Sequence, residues 1–314
     1  MGLNYLRGII ECDLDLKVWV IDPNRLALEK VKNFIDSRDF SNSQINFDFS
    51  ETNHSLPIDI DLCIISTTAD VRPDVLLGVT KDRHIRFLIL EKLITQNTSD
   101  LELVSKNLFA IQSTWVNLPR RSMTWFNKIK QELEYKDISK FKGEVFGTNW
   151  NLVSNSLHYI DLFSFLFNVA PTRISLGGLD KIWFESRLGF YDTFGNIVAH
   201  FPNNSILTLT SISKKIKSQE GNFISIFTQD KTLEIDESGG KACYIQNNTK
   251  RDIFGQIELQ SKMTSGLVKS ILKDGICNLP KFKDIEHTHK IYLQSLANLE
   301  TDGIQPPNAF SNIT

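Results

Sequence analysis

Hydrophobic positions along the first 115 residues alternate between two spacings. Leu3, Leu6 and Ile10 share one helical face, and Leu28, Val31 and Ile35 repeat that spacing. Between and after them come short apolar runs that read as strands: Lys17 to Ile21, Ile45 to Phe49 and Leu62 to Ser66. A short helix over Val75 to Thr80 follows Pro73. Ile85 to Leu90 (IRFLIL) is apolar on both faces, as a central parallel strand is. Ser99 is placed to cap a helix running to about Phe109, and Ile111 to Val116 reads as the next strand. Strands alternating with helices imply a doubly wound parallel sheet, an α/β Rossmann-type domain over residues 1–116.

From about residue 120 the pattern changes. Helical spacing returns over roughly 120–135 and 156–168. Strand-like runs then dominate at 144–150, 171–177, 195–201, 204–212, 222–228 and 231–235. Gly177-Gly178, Pro202-Asn203-Asn204 and Gly239-Gly240 supply turns between them. Residues 117–314 therefore read as an α+β domain with a large, mostly antiparallel open sheet. A last helix at about 284–299, after Pro280, is expected to pack back on the first domain.

Composition narrows the function classes. The 314-residue chain is 41% hydrophobic and 23% charged, with a net charge of −2. That balance gives no electrostatic reason to expect nucleic acid or an anionic membrane as partner. No segment approaches the roughly 20 apolar residues of a membrane span, and no secretory signal stands at the start. Cys12, Cys63, Cys243 and Cys277 lack metal-ligand spacing and read as free thiols in a reducing compartment, so a cytoplasmic location is expected. His287 and His289, two apart, complete no metal set, and a structural role is expected of them.

Asp22 ends an apolar strand. In a dinucleotide fold, a carboxylate there accepts hydrogen bonds from the adenine ribose and repels a 2′-phosphate, favouring NAD over NADP. An Asp before Pro is equally a common turn starter. The fingerprint acid lies about 20 residues after the glycine loop, and counting back from Asp22 reaches Gly2, just ahead of an amphipathic helix. Gly2 thus reads as the last glycine of a GxGxxG motif. On this expectation the first strand and two earlier glycines lie outside the chain, through a start placed too late or a truncation. The sheet would then lack its central strand, to the cost of stability and cofactor affinity.

Two further stretches carry candidate chemistry. Lys92, in LEKLI (Leu90 to Ile94), stands at the carboxyl end of the most apolar strand, where a side chain faces the ligand crevice. His158, in TNWNLVSNSLHYIDLF (Thr148 to Phe163), falls in the first turn of the helix expected at 156. The dipole there would keep the imidazole neutral and able to accept a proton. Asp161, three residues on, shares its face. A rim lysine, a capped surface histidine and a dipole-favoured Asp are the plain alternatives.

Together these stretches resemble the Gfo/Idh/MocA oxidoreductases, the glucose–fructose oxidoreductase and inositol dehydrogenase family, over essentially the whole chain. CIISTTADVR (Cys63 to Arg72) resembles the strand and Thr-containing loop beside the cofactor, and Glu91-Lys92 resembles the EKP motif. TWVNLPRR (Thr114 to Arg121) resembles an NxPRR subgroup, and NWNLVSNSLHYIDL the substrate-domain helix with its HxxD. NLPKFKDIEHTHKIYLQSL resembles the closing helix and the final NIT the terminal tail.

The resemblance implies hydride transfer between NAD and a carbon of a sugar, amino sugar or sugar nucleotide, in a setting such as surface polysaccharide or glycan biosynthesis. It implies Lys92 holding the reacting oxygen and His158 as general acid/base. Gly2, Asp22, Ser66, Thr67, Thr68, Arg72 and Glu91 would lie along the cofactor. Asn117, Arg120, Arg121, Trp150, Asn155 and Asp161 would face the substrate. The two arginines suit a carboxylate or phosphate, or else a helix-start ion pair. The open sheet would join copies into a homodimer or homotetramer.

Two positions depart from the pattern. Ser154 stands where many members carry an Asp four residues before the histidine, leaving His158 alone with Asn155 to orient substrate. Leu93 replaces the Pro after the lysine and is expected to be trans, because a non-proline cis bond costs roughly 2.5–4 kcal/mol. A catalytically impaired relative, kept for sugar binding or oligomer contacts, is the rival reading.

Overall fold

The structure, a computed structural model, describes residues 1–38, 44–133, 140–214, 221–299 and 313. The chain opens with α1 (Gly2–Ile9), β1 (Leu16–Ile21), α2 (Arg25–Asp36), β2 (Ile45–Ser50), β3 (Asp59–Ile65), α3 (Arg72–Thr80), β4 (His84–Leu90), α4 (Thr98–Asn107) and β5 (Ser113–Val116). Every pairing among these strands is parallel. The alternation of spacings in the sequence thus folds as a Rossmann-type unit. Phe87 to Leu90 are at most 1% exposed, as expected of a strand with both faces covered.

The sheet comes in two pieces, β1–β2 and β3–β4–β5. The break falls between β1 and β3. Its consequence shows in the side chains. Val18, Trp19 and Val20 are only half-buried although the run is apolar. A strand paired on one edge alone has fewer neighbours to cover it.

The second half contributes α5 (Thr124–Leu133), β6 (Lys142–Thr148), α6 (Leu152–Phe167), β7 (Arg173–Arg187), β8 (Phe190–Phe201), β9 (Ser205–Ile212), β10 (Asn222–Phe227), β11 (Lys231–Asp236), β12 (Lys241–Gln246) and β13 (Thr249–Phe254). It closes with α7 (Gln260–Asp274) and α8 (Phe282–Leu299). Eight strands form one sheet in the order β13-β12-β11-β10-β6-β9-β8-β7; β6 and β9 run parallel and all other neighbours antiparallel. Strict alternation in β9, SILTLTSI, buries every second residue. α6 lies on β8 and β9 and is buried almost throughout, while α8 packs against α4, β5 and β7.

Several boundaries differ from the sequence reading. Asn97, not Ser99, caps α4: its Oδ1 accepts from the Asp100 amide at 2.8 Å. The helix expected over 120–135 divides into a 3-10 turn at Pro119–Ser122 and α5; residues 134 and 135 lie outside the described residues. β7 and β8 extend into a long hairpin, because Gly177-Gly178 sits at a register shift within β7 rather than ending it. α7 was not anticipated at all. It returns from the second half of the chain to pack on α1 and β3. Of the terminal NIT, only Ile313 is described; it is buried, and its carbonyl accepts from Gln96 Nε2.

Among the described residues, no helix is long and apolar enough to cross a membrane, and no cluster of His, Cys, Asp and Glu could hold a metal ion. All four cysteines are free; Cys12 is buried and the others half-buried.

Candidate active site

The carboxyl ends of β3, β4 and β5 meet the first turns of α6, and most of the sequence-predicted residues gather there. Lys92 is the second residue after β4. The Lys92–Leu93 peptide is cis, in contrast to the trans bond expected for a non-proline residue. Lys92 Nζ donates to the Ser154 carbonyl at 2.7 Å and to Asn155 Oδ1 at 3.1 Å. Asn155 Nδ2 in turn donates to the Trp150 carbonyl at 2.8 Å, which fixes which end of the amide faces the lysine. Asn155 therefore orients Lys92; its expected place as a substrate ligand is taken up by protein contacts. Burial pushes the Lys92 ammonium down to about 8, with Glu91 opposing the shift.

His158 lies nearly two turns into α6, because the helix begins at Leu152 rather than at 156. The dipole argument, which acts within the first turn, therefore lapses. Burial first, then the cations Lys92 and Arg120, hold its imidazole well below the ordinary histidine range. The ring is half-buried and neutral at pH 7, and its buried Nδ1 has no hydrogen-bond partner among the described residues. A neutral imidazole with a free nitrogen beside a lysine can take or give a proton.

Glu91 forms the floor. It is 5% exposed and accepts at 2.7 Å from both Tyr5 Oη of α1 and Asn117 Nδ2 of the loop after β5. Asn117 also reaches Gln260 of α7 at 3.1 Å, so α1 and the loop after β5 meet on one carboxylate and α7 is tied to it through Asn117. Asn117 was expected to face substrate; it is buried and braces Glu91 instead.

Arg72, expected along the cofactor, is likewise internal. It is 1% exposed and donates to the carbonyls of Thr67, Leu93 and Ile94, pinning the loops after β3 and β4 to each other. Burial lowers it to about 10, so it stays charged at neutral pH.

Neither arginine of the PRR segment is open to an anion. Arg120 donates to both oxygens of Glu237, at 3.0 and 3.2 Å, and to Tyr159 Oη at 2.9 Å. Burial works against its charge, but Tyr159 and Glu237 outweigh it and hold the guanidinium above its usual range. Arg121 forks onto Asp161, with Nε 2.9 Å from Oδ2. Asp161, 2% exposed, is thereby an internal counter-ion rather than a substrate ligand, and burial raises its carboxyl to about 6 against the pull of Arg121. The ion-pair alternative for both arginines is the one the fold adopts, with partners from β11's end and α6. Trp150 is also packed rather than presented: Nε1 donates to the Thr210 carbonyl at 2.9 Å and the ring meets Tyr159 edge-on.

Of the residues named for the cofactor, Asp22 follows β1, and Ser66, Thr67 and Thr68 follow β3. Gly2 opens α1 beside β3, where an added Cβ would stand 3.2 Å from Ser66 Oγ. Asp22 follows β1, half-buried; its Oδ1 accepts from the Asn24 amide at 2.8 Å, so the turn-starter alternative also operates. Thr67 Oγ1 is buried with no partner among the described residues, and the Thr68 carbonyl accepts the first bond of α3. An orphaned hydroxyl, a helix start and a strand-end carboxylate after parallel strands are the kinds of group that bind the hydroxyls and phosphates of a nicotinamide dinucleotide.

Sequence reasoning missed Tyr5, Tyr159, Glu237, Gln260, Tyr292 and Asp192. Asp192 offered one signal, an acid inside an otherwise aromatic and apolar strand run, FYDTFGNIVAHF.

No family model matches the chain, and no curated protein matches it. Solved structures do. The super-repressor mutant of Gal80p from Saccharomyces cerevisiae superposes with a TM-score of 0.70 at 13% identity, covering 95% of this chain and 92% of that one. An Agrobacterium radiobacter oxidoreductase in complex with NAD+, L-tartaric acid and magnesium gives 0.70 at 13% identity, with 95% and 93% covered. An oxidoreductase from Sinorhizobium meliloti gives 0.70 at 12% identity, with 96% and 94% covered. At such identities the likeness is one of fold: a Rossmann-type parallel sheet followed by a large, mostly antiparallel sheet.

Proposed function

We propose that the chain is an NAD-dependent oxidoreductase acting on a carbon of a sugar, amino sugar or sugar nucleotide. The observation that carries this reading is the placing of Lys92 and His158. The ammonium is held by the first turn of the helix that bears the imidazole, at the carboxyl ends of the parallel strands. Bound nicotinamide nucleotide would supply the hydride donor or acceptor. Lys92 hydrogen-bonds the reacting oxygen and carries charge opposite it. His158 takes or gives the hydroxyl proton at Nε2, the ring nitrogen opposite the buried Nδ1. Asp22, Ser66, Thr67 and Thr68 bind the dinucleotide, and Asp22 selects NAD over NADP. Glu91 acts from beneath by fixing the end of β4. A polyhydroxylated substrate fits the L-tartaric acid held by the Agrobacterium neighbour. The test is an NADH fluorescence titration of the 314-residue chain, followed by a screen of sugars and polyols for cofactor reduction. Saturable binding and turnover are expected; a folded protein that binds no nicotinamide nucleotide would overturn the reading.

A second reading is a binding protein of the same fold without turnover. Its motives are the likeness to Gal80p, described as a transcriptional regulator, and the uncharged Ser154 one turn before His158. It predicts saturable ligand binding with no substrate in the screen reducing the cofactor.

A further inference from the structure

We propose that Asp192 is a positioning residue for Lys92: a carboxylate supplied from outside α6 that fixes the helix's first turn and faces its charge towards the ammonium. The inference rests on the reading of Lys92 as the residue that holds the reacting oxygen.

The geometry is a short relay. Asp192 lies on β8, opposite Phe184 of β7, and is 0% exposed. Its Oδ1 accepts from the Val153 amide and its Oδ2 from the Ser154 amide, each at 2.9 Å. The Ser154 carbonyl then accepts from Lys92 Nζ at 2.7 Å. One residue, Ser154, thus carries the lysine on its carbonyl oxygen and the aspartate on its amide nitrogen, in the two peptide units on either side of its Cα.

α6 needs such a device. Its N-cap, Asn151, is left-handed at φ 57° and makes no side-chain cap bond, so the orphan amides of the first turn depend on Asp192. Tyr292 of α8 braces the same turn, its hydroxyl donating to the Val153 carbonyl at 2.5 Å.

A buried carboxylate costs desolvation unless it is well bonded. Burial raises the Asp192 carboxyl, and the amides of Ser154, Val153 and Thr193 oppose that rise. The group is therefore retained where its charge acts on something. The charged and titratable groups facing Lys92 are Glu91 from the end of β4, Arg72 of α3, Arg187 of β7, His158 of α6, His289 of α8 and Asp192 itself. Arg72 and Arg187 push the lysine towards neutrality; Glu91 and Asp192 oppose them. Glu91 already serves Tyr5 and Asn117. Asp192 is the one of the two acids bonded to the residue, Ser154, whose carbonyl aims the lysine.

The test reads Lys92 directly and needs no substrate. The full chain is labelled with acetic anhydride across a pH series, and acetylation of the Lys92 peptide is followed by mass spectrometry. Asp192→Asn keeps an acceptor oxygen for one amide and removes the charge; Asp192→Ser does the same with a smaller group and stands in if the first variant fails to fold by circular dichroism. The midpoint for Lys92 is expected to fall by about one pH unit, roughly a tenfold rise in the reactive fraction at neutral pH. An unmoved midpoint in a folded variant would overturn the proposal. So would a rise towards an ordinary lysine, which would mean that Asp192 merely keeps the helix in place. Loss of the oxidoreductase reading would instead show as absent cofactor binding with the midpoint shift intact.

Discussion

Tyr159 donates its hydroxyl hydrogen to Glu237 across 2.6 Å, and Arg120 closes the cluster by binding both and lying 4.1 Å over the Tyr159 ring. Tyr159 follows His158 on α6, so the ion pair anchors the helix that carries the imidazole. Asn222 Nδ2 adds a third bond to the Tyr159 oxygen, at 2.7 Å. Removing one partner of a buried ion pair strands the other. Glu237→Ala is expected to lower stability by about 3–5 kcal/mol, as breaking buried pairs does. Urea denaturation measures it. A loss below about 1 kcal/mol, the range of surface pairs, would mean that water replaces the carboxylate.

Lys92 is expected to act in turnover rather than in holding the cofactor. Lys92→Ala should reduce kcat by about 10²–10³-fold, the scale of losing one preorganised donor at a developing charge, with NADH Kd little changed. Steady-state rates on any substrate found by screening, paired with fluorescence titration, separate the two. A variant that turns over as fast as the natural protein would remove Lys92 from the mechanism.

The pH dependence of stability follows from the buried histidines. Burial holds His289 at about 4 and His158 well below its ordinary value of 6.5. Below pH 6.5 the unfolded chain takes up these protons before the folded one does, so stability falls as pH drops from about 6.5 towards 4. Asp161 acts oppositely. Its folded-state value of about 6 exceeds the ordinary 3.8, so its contribution is full below about 3.8 and is lost as pH rises through 6. Asp192, also raised by burial, acts in the same direction as Asp161, and the slope is the balance of these two acids against the histidines. His289→Gln should flatten the slope by about one proton, ~1.4 kcal/mol per pH unit. Denaturation midpoints at several pH values test this, and an unchanged slope would assign the uptake elsewhere.

How much of this was legible depends on the range over which each signal acts. IRFLIL announced β4 because burial on both faces leaves a continuous apolar run, and Lys92 could be placed at its end from that alone. The strand–helix alternation likewise predicted the parallel pairing. α7 escaped because its apolar residues, Met263, Leu267, Val268 and Ile271, are thinly spread among polar ones, and its packing partners α1 and β3 lie some 200 residues earlier. The partners of charged groups were illegible for the same reason. Nothing near Arg120 names Glu237, and nothing near Glu91 names Tyr5. A charged residue in a motif reads as a ligand until the fold reveals which protein group already binds it.

The packing of α1 on α7 allows a last prediction. Gly8 faces α7 so closely that an added Cβ would come within 2.5 Å of Thr264 Cβ and also meet the Ser261 backbone. A helix crossing at that distance has no flexible side chain to move aside, so one of the two backbones must shift. Tyr5, one turn earlier on α1, carries the bond to Glu91, and Gly2 at the start stands beside Ser66. Gly8→Ala would gain helix propensity of about 1 kcal/mol, yet overpacking typically costs about 1–3 kcal/mol. The clash against backbone should win, with net destabilisation. Weaker NADH binding should accompany it, because α1 moves with its first turn. Tyr5→Phe supplies the control: it removes one buried hydrogen bond, about 1–2 kcal/mol, while leaving the helix crossing alone. Urea denaturation and NADH titration of both variants decide the matter. A Gly8→Ala protein as stable as the natural chain would show that α1 can ride away from α7 without cost, and that the crossing does not set the crevice.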